Sequence, residues 1–238
     1  AQGVADAMIV IVHWVLKVGP IGVFALILPV TVQAGGSVLG ALGVHVAVLI
    51  ATYLVITASL YVIAPLGGGE PLRRFASAIL PAQVVAASTQ SSLASLPAML
   101  QASNERFGYP PQIGALVLPL AVSLFRITSP AQYLGVMSFI AWAYGIELDA
   151  TTIATCIALA VVISLGSVGL PGQASFMGTN LPIVQAAGLP VEPLGLLLAV
   201  DLIPDVFSTV GNVSADLTVA SKVARAEPGA PEAEDADR

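Results

Sequence analysis

Long apolar runs divide this chain, and polar residues break some of them in a repeating way. A helix needs about 20 apolar residues to cross a bilayer. Residues 8–32 reach that length, with His13 and Lys17 as polar exceptions, and residues 41–64 reach it next. Gly35-Gly36 separates the two, and Gly67-Gly68-Gly69 ends the second. Tyr53 and Tyr61 read as interface anchors of the second span. Residues 75–87 are apolar but short. Ser88-Thr89-Gln90-Ser91-Ser92 follows, then another short piece to Leu100. Two short halves around a hydroxyl-rich tip predict a helical hairpin that enters the membrane and returns. Irregular backbone at that depth survives only inside protein or against water. One kinked spanning helix is the competing reading.

Residues 110–143 predict one further span, opened by Pro110-Pro111 and carrying Arg126. Residues 151–165 stop short at Gly166 to Gly172 (GSVGLPG), and a piece at 174–187 follows. This is a second hairpin candidate; an ordinary loop between two short helices is its alternative. Residues 193–221 form the last span, with Asp201, Asp205, Asn212 and Asp216 inside it. A broken hairpin followed by a polar-bearing helix thus occurs twice: 72–103 then 110–137, and 151–187 then 193–221. Interrupted segments at matching places in two halves point to a binding site at the membrane midplane.

Composition agrees. The chain is 57% hydrophobic and 9% charged, with mean hydropathy +0.93, whereas soluble domains carry roughly 25% charged residues. The formal charge of −6 misleads, because Glu227 to Arg238 holds five acids and one arginine and so accounts for −4 of it. That Pro/Ala/Glu-rich tail has little to bury and reads as disordered. No basic patch suggests nucleic acid. The single Cys156 excludes an intrachain disulfide and reads as a small core or lipid-facing residue. Ala1 to Ala7 show no basic leader, so no signal peptide is expected, and the chain reads as entered partway through a larger protein. His13 and His45 are lone and read as structural, and Trp14 and Trp142 as interface belt. No GxSxG elbow and no metal-spaced His or Cys pairs occur. Arg73, Arg74, Arg106, Lys222 and Arg225 fall in loops on one side of this topology. The opposite loops hold Glu147, Asp149 and Glu192 but no lysine or arginine. That bias predicts a cytoplasmic C-terminus.

A charge at bilayer depth costs roughly 2.5–3.5 kcal/mol on insertion scales, so buried charges pair, face water or bind something. Asp201, Asp205, Thr209, Asn212 and Asp216 share roughly one face of the last helix. That face should meet a partner element or a cavity; a polar seam that only glues helices is the alternative. Backbone amides at half-helix N-termini suit a carboxylate. Ser91 and Ser92 add hydroxyl donors at the first tip. Gly169, Pro171 and Gly172 let the second tip move as a gate.

Four motifs carry a resemblance. Lys17 to Ala25 (KVGPIGVFA), Ser88 to Pro97 (STQSSLASLP), Gly166 to Gly172 and Asp201 to Asp216 (DLIPDVFSTVGNVSAD) occur in order and at the right spacing. They resemble the fifth helix, both hairpin tips and the eighth helix of the dicarboxylate/amino acid:cation symporter family, which includes the glutamate transporters. The resemblance covers residues 1–225 and the family's second half. It implies that Asp205 holds a substrate ammonium and that Thr209 and Asn212 contact the substrate. It also implies that Asn212 and Asp216 help bind sodium. The carbonyls of Ser164, Leu165 and Ser167, with Ser123, match a second sodium site. Two departures stand out. Where the family has Asn-Met-Asp-Gly-Thr, this chain has Phe125-Arg126-Ile127-Thr128-Ser129. Where carriers of acidic substrates usually have an arginine, it has Ser208. Arg126 therefore reads as a fixed substitute cation, as a reader of the substrate carboxylate, or as one half of a structural ion pair.

The expectation is an all-α membrane protein with transmembrane helices and two re-entrant hairpins, near 72–103 and 151–187. Residues 1–40 form a scaffold-type helix and loop, 41–222 a transport domain and 223–238 the tail. The resemblance implies a symporter or exchanger of a dicarboxylate or amino acid, in the plasma (inner) membrane and within a homotrimer. It implies Na+ or H+ as coupling ion and no other cofactor. A neutral, serine/threonine-type amino acid carrier, a non-transporting sensor and an intramembrane hydrolase are the alternatives.

Overall fold

The computed structural model describes residues 38–66, 69–167 and 172–226, plus positions 14, 18, 21 and 25; side chains at 172–174 are not described. Most of the 8–32 span, Gly169 with the middle of the second tip, His13, Lys17 and the acidic tail lie outside the described residues.

Among the described residues every regular element is a helix. Helix α1 is Val38–Ile63. Then come α2 (Leu72–Thr89), α3 (Ser92–Gln101) and a π-helical turn at Ala102–Arg106. They are followed by α4 (Pro111–Leu124), α5 (Ser129–Tyr144), α6 (Ala150–Gly166), α7 (Gly172–Ala186) and α8 (Pro193–Ala226). Among the described residues, three stretches are long and apolar enough to cross a membrane: Val38–Ile63, Pro111–Tyr144 taken through its break, and Pro193–Ala226. At about 1.5 Å per residue, the 26 residues of α1 exceed a hydrocarbon core of about 30 Å. Val44, Val48, Val55 and Val62 form an exposed stripe along α1. Apolar surface of that extent belongs against lipid.

The first interruption is a helix–turn–helix pair, not one kinked helix. Gln90 takes the left-handed conformation at φ 50°, where a non-glycine residue is uncommon. Ser91 then caps α3, its side chain accepting from the Ala94 N–H at 3.2 Å. α2 and α3 pack against each other. α2 is longer than the apolar run suggests, because Leu72-Arg73-Arg74 extend it at one end and Ser88-Thr89 at the other. α6 and α7 also pack together.

The 110–143 region departs from expectation. It is two helices with an unwound step from Phe125 to Thr128, and Phe125 is extended at φ −122°, ψ 95°. Pro130 contributes, at the start of α5. A continuous helix would need its missing N–H to reach the Arg126 carbonyl, and its ring would strike that oxygen. The Arg126 carbonyl accepts from the Ser129 N–H instead, at 3.2 Å. Tyr53 and Tyr61 also depart from expectation, because neither sits as an interface anchor. Tyr53 is fully buried. Tyr61 hydrogen-bonds Gln83 and meets Phe75 edge-on.

Two apolar clusters form the interior. One gathers Phe75, Ile79, Met99, Phe107, Leu118 and Leu217. The other gathers Tyr133, Met137, Cys156, Phe176, Ile183 and Leu194. α8 serves both, through Val213 and Leu217 in the first and Leu194 and Leu197 in the second. Between them its buried side chains turn polar.

One end of the bundle is tied by charge. Glu70 is wholly buried and accepts from Tyr109 Oη at 2.7 Å and Arg225 Nε at 3.0 Å, with Arg74 Nη1 at 3.4 Å. Burial, more than its bond to Glu70, pushes the Tyr109 hydroxyl well up. Arg74 donates to the Phe107 carbonyl at 2.8 Å, Arg106 to that of Ser77 at 3.2 Å, and Lys222 to that of Ala64 at 3.1 Å. The basic loop residues thus converge on one end.

Candidate functional site

The polar band of α8 faces the α4–α5 break, and the contacts are specific. Thr128, at the break, donates its backbone N–H to Asn212 Oδ1 at 3.1 Å. Its hydroxyl lies 2.9 Å from the same oxygen and 2.8 Å from Ser208 Oγ. With one proton to give, the Thr128 hydroxyl is shared between Asn212 Oδ1 and the Ser208 carbonyl, 3.2 Å away, as acceptors. One turn into α5, Gln132 Nε2 lies 2.8 and 2.9 Å from the two oxygens of Asp201. The fit is tight. A Cβ on Gly211 would meet Thr128 Cγ2 at 2.8 Å and Thr57 Oγ1 at 3.0 Å.

Charge gathers along this seam. Asp201, Asp205 and Asp216 are at most 3% exposed, and Arg126 is 7% exposed in the break. Asp205 lies one turn from Asp201 and acts on it electrostatically. Arg126 acts on both Asp201 and Asp216. Those two are fifteen residues apart, roughly 22 Å along the helix. Tyr53 of α1 is fully buried and feels the charges of Asp201, Asp205 and Arg126. Thr209 is buried and donates to the Asp205 carbonyl at 2.9 Å.

Several polar atoms here are buried without a hydrogen bond: Asn212 Nδ2, both carboxylate oxygens of Asp216, the Tyr53 hydroxyl and Ser92 Oγ. Such atoms are costly unless something satisfies them. The first tip reaches this helix. Gln90 Nε2 donates to the Leu202 carbonyl at 3.2 Å, between Asp201 and Asp205. Ser91 and Ser92 are buried beside it.

The second sodium-site candidates are less gathered. Ser123 is exposed and donates to the Pro119 carbonyl at 2.7 Å. Ser164 and Ser167 are buried and bonded to each other at 3.1 Å, while Leu165 is exposed. Their helices, α4 and α6, are in contact. Gly169 lies outside the described residues.

Tyr53, Gln90, Thr128 and Gln132 escaped the reading of the sequence. Thr128 and Gln132 carried a signal, one helical turn apart before the apolar face resumes. Tyr53 carried none, since an aromatic within an apolar run fits interface and core equally.

The chain matches the description "Sodium:dicarboxylate symporter family" over residues 1–226. It is 32% identical over 218 residues to the proton/sodium-glutamate symport protein of Bacillus caldotenax, covering 89% of this chain and 50% of that protein. The protein of the same name from Bacillus subtilis (strain 168) is 31% identical over 223 residues, covering 92% of this chain and 50% of that protein. Human neutral amino acid transporter A is 34% identical over 143 residues, covering 60% of this chain and 26% of that protein. The chain therefore spans about half the length of the bacterial relatives it matches. Its long apolar helices and this likeness make it an integral membrane protein. The chain belongs to the sodium:dicarboxylate symporter family.

Proposed function

We propose that the protein is a secondary active carrier, a symporter or exchanger, of a small carboxylate-bearing solute, either a dicarboxylate or an amino acid. The observation that carries this reading is the buried seam itself: three carboxylates, one guanidinium and unsatisfied polar atoms where α8 meets the α4–α5 break. In this reading α2–α3 and α6–α7 are re-entrant hairpins around the midplane site. The tip with Ser91 and Ser92 offers donors to a substrate carboxylate, and the tip with Gly169 is the moving gate. Asp205 holds a substrate ammonium, and Thr209 and Asn212 complete the pocket. Asn212 does so through its free amide, since Thr128 occupies its carbonyl. Arg126 stands near the level of Ser208 and supplies the cation that Ser208 does not.

Residues 1–40 act as scaffold, 41–222 slide as the transport domain, and three copies assemble in the plasma membrane with the basic end cytoplasmic. Sodium or protons drive uptake, as the relatives' names say of those proteins. A neutral amino acid carrier is the second reading. It is favoured by Ser208, whose hydroxyl is committed to Thr128, and by the relatives named for neutral amino acids.

Uptake of labelled aspartate, succinate and serine into liposomes tests both readings, with sodium, potassium and proton gradients varied separately. Accumulation of aspartate or succinate supports the first and of serine alone the second. Ligand-induced thermal stabilisation without any uptake would instead make the protein a non-transporting sensor.

A further inference from the structure

We propose that Tyr53 of α1 is a substrate-contacting residue, its phenol oxygen accepting from the ammonium group of an amino acid held at Asp205. The inference rests on the carrier reading above and adds one side to the same pocket. It begins from the buried stripe of α1, which is Leu42, His45, Leu49, Tyr53, Leu60 and Ala64. Tyr53 is 0% exposed, and its hydroxyl has no hydrogen bond. A hydroxyl buried in that way costs free energy, and phenylalanine would fill the same space without the cost. Tyr61, two turns further along α1, shows the ordinary arrangement, its hydroxyl accepting from Gln83 Nε2 at 2.9 Å.

Two close packing points fix where Tyr53 stands. One turn before it, Leu49 lies on α5, where a Cβ on Gly135 would meet Leu49 Cδ2 at 2.7 Å. One turn after it, Thr57 lies on α8, where a Cβ on Gly211 would meet Thr57 Oγ1 at 3.0 Å and Thr128 Cγ2 at 2.8 Å. Residues four apart on a helix share a face, so Tyr53 points the same way as both. On α5 the chain runs from Thr128 through Gln132 to Gly135, and Gln132 bonds Asp201. Going from Thr57 back to Leu49 therefore follows α8 from Gly211 back towards Asp201. Tyr53 is midway, against the stretch of α8 that holds Asp205 and Ser208. Among the described residues, neither apolar cluster includes it.

The surrounding charge selects the ligand group. Asp201, Asp205 and Arg126 act on Tyr53, two negative charges against one positive. A carboxylate brought there would meet two others, whereas an ammonium meets opposite charge and a phenol lone pair. Gln132 already holds both oxygens of Asp201. An ammonium has three hydrogens to place, and Asp205 with Tyr53 offers acceptors from two different helices. A dicarboxylate has no such group, so Tyr53 separates the two solute classes.

The experiment is thermal unfolding of the purified full chain in detergent, titrated with aspartate, serine or succinate. Wild type, Tyr53→Phe and Tyr61→Phe are compared. A solute that binds only the native state raises the midpoint according to its dissociation constant. Tyr53→Phe should unfold at or above the wild-type midpoint when no solute is present. Its dissociation constant for each amino acid that the wild type binds should rise about tenfold, and that for succinate by less than about twofold, since one hydrogen bond to a charged group is lost. Tyr61→Phe should lower the midpoint and leave the relative affinities as in wild type.

Unchanged amino acid affinity in Tyr53→Phe overturns the proposal, as does an equal loss for succinate. So does a Tyr53→Phe protein that fails to fold or unfolds lower, because the hydroxyl would then have a structural partner. Uptake by the same preparations separates this from the carrier reading. A wild type that accumulates succinate but binds no amino acid overturns the role of Tyr53 and leaves the carrier standing. The selective loss in a protein that moves no solute does the reverse.

Discussion

At the scale of single residues, two buried carboxylates show how differently the same group can be used. Glu70 has its partners built in, with Tyr109, Arg225 and Arg74 around it. Removing one member of a buried ion pair leaves an uncompensated charge and costs about 3–5 kcal/mol. Glu70→Ala should therefore lower stability by about that much in denaturant titration, while Tyr109→Phe, which removes one hydrogen bond to a charge, should cost about 1.5–3 kcal/mol. Equal, negligible losses would mean that the knot is ornamental. Asp205 is the opposite case, a carboxylate placed beside Asp201 on one helix face. If it waits for an ammonium, Asp205→Asn keeps the shape and removes the attraction. Amino acid uptake should then fall by about 2–5 kcal/mol in transition-state terms. Succinate, which has no ammonium, should be spared relative to aspartate. Equal losses for both solutes would assign Asp205 to folding or ion balance. The aspartates were legible because charge inside an apolar run is conspicuous. Glu70 was not, because a glutamate in a glycine-rich loop looks solvated until the fold brings Arg225 from 155 residues away in sequence.

At the scale of elements, the α4–α5 break is the main difference between reading and structure. Pro130 should have announced it, but Pro81, Pro97, Pro119, Pro182 and Pro204 all sit inside intact helices. Proline alone does not decide. What decides here is compensation, since the freed backbone at Thr128 finds Asn212 on another helix. The break also needs close approach to α8 at Gly211. A methyl there would meet Thr128 at 2.8 Å and Thr57 at 3.0 Å. Gly211→Ala should displace the break and cost about 1–3 kcal/mol by overpacking. Substrate affinity should fall with it, whereas Gly166→Ala, which meets nothing within 4 Å, should not produce the overpacking loss.

The hairpin tips divide by chemistry in the same way. The serine-rich one was readable as a hydroxyl-bearing interruption between two short helices, and in the structure Ser91 caps α3. α6 begins with a cap as well. The backbone and hydroxyl of Thr152 bond the Asp149 carboxylate and hold its carboxyl below the usual range. A depressed acid stabilises the fold above its unfolded pKa, and that contribution is lost as pH falls through the folded value. The first turn of α6 should therefore fray as pH drops below about 4. Hydrogen exchange at Thr152 reads this directly, and Asp149→Ala should already exchange fast at neutral pH.

At the scale of the whole molecule, the argument turns on ends and middle. Apolar clusters lie on either side of a polar band on α8, and the basic residues gather at one end. The far loops carry Glu147, Asp149 and Glu192 without a lysine or arginine. Much of this was legible, since loop charge is read straight from sequence while lateral packing is not. Orientation follows from the retention of lysine and arginine on the cytoplasmic side, and it can be measured cleanly. Cys156, the one cysteine of the chain, is fully buried between α6 and α7, with Sγ 3.8 Å from the Ile183 carbonyl. It should not react with a membrane-impermeant maleimide. Against that quiet background, Glu147→Cys should label from outside in intact cells. Glu105→Cys, beside the basic end, should label only after the membrane is opened. The reverse pattern would invert the protein in the membrane and with it the assignment of the Glu70 knot to the cytoplasmic side. Labelling of both from outside would mean that the stretch Pro111–Tyr144, which lies between the two probes, does not cross the membrane, and the topology on which the re-entrant reading rests would fall with it.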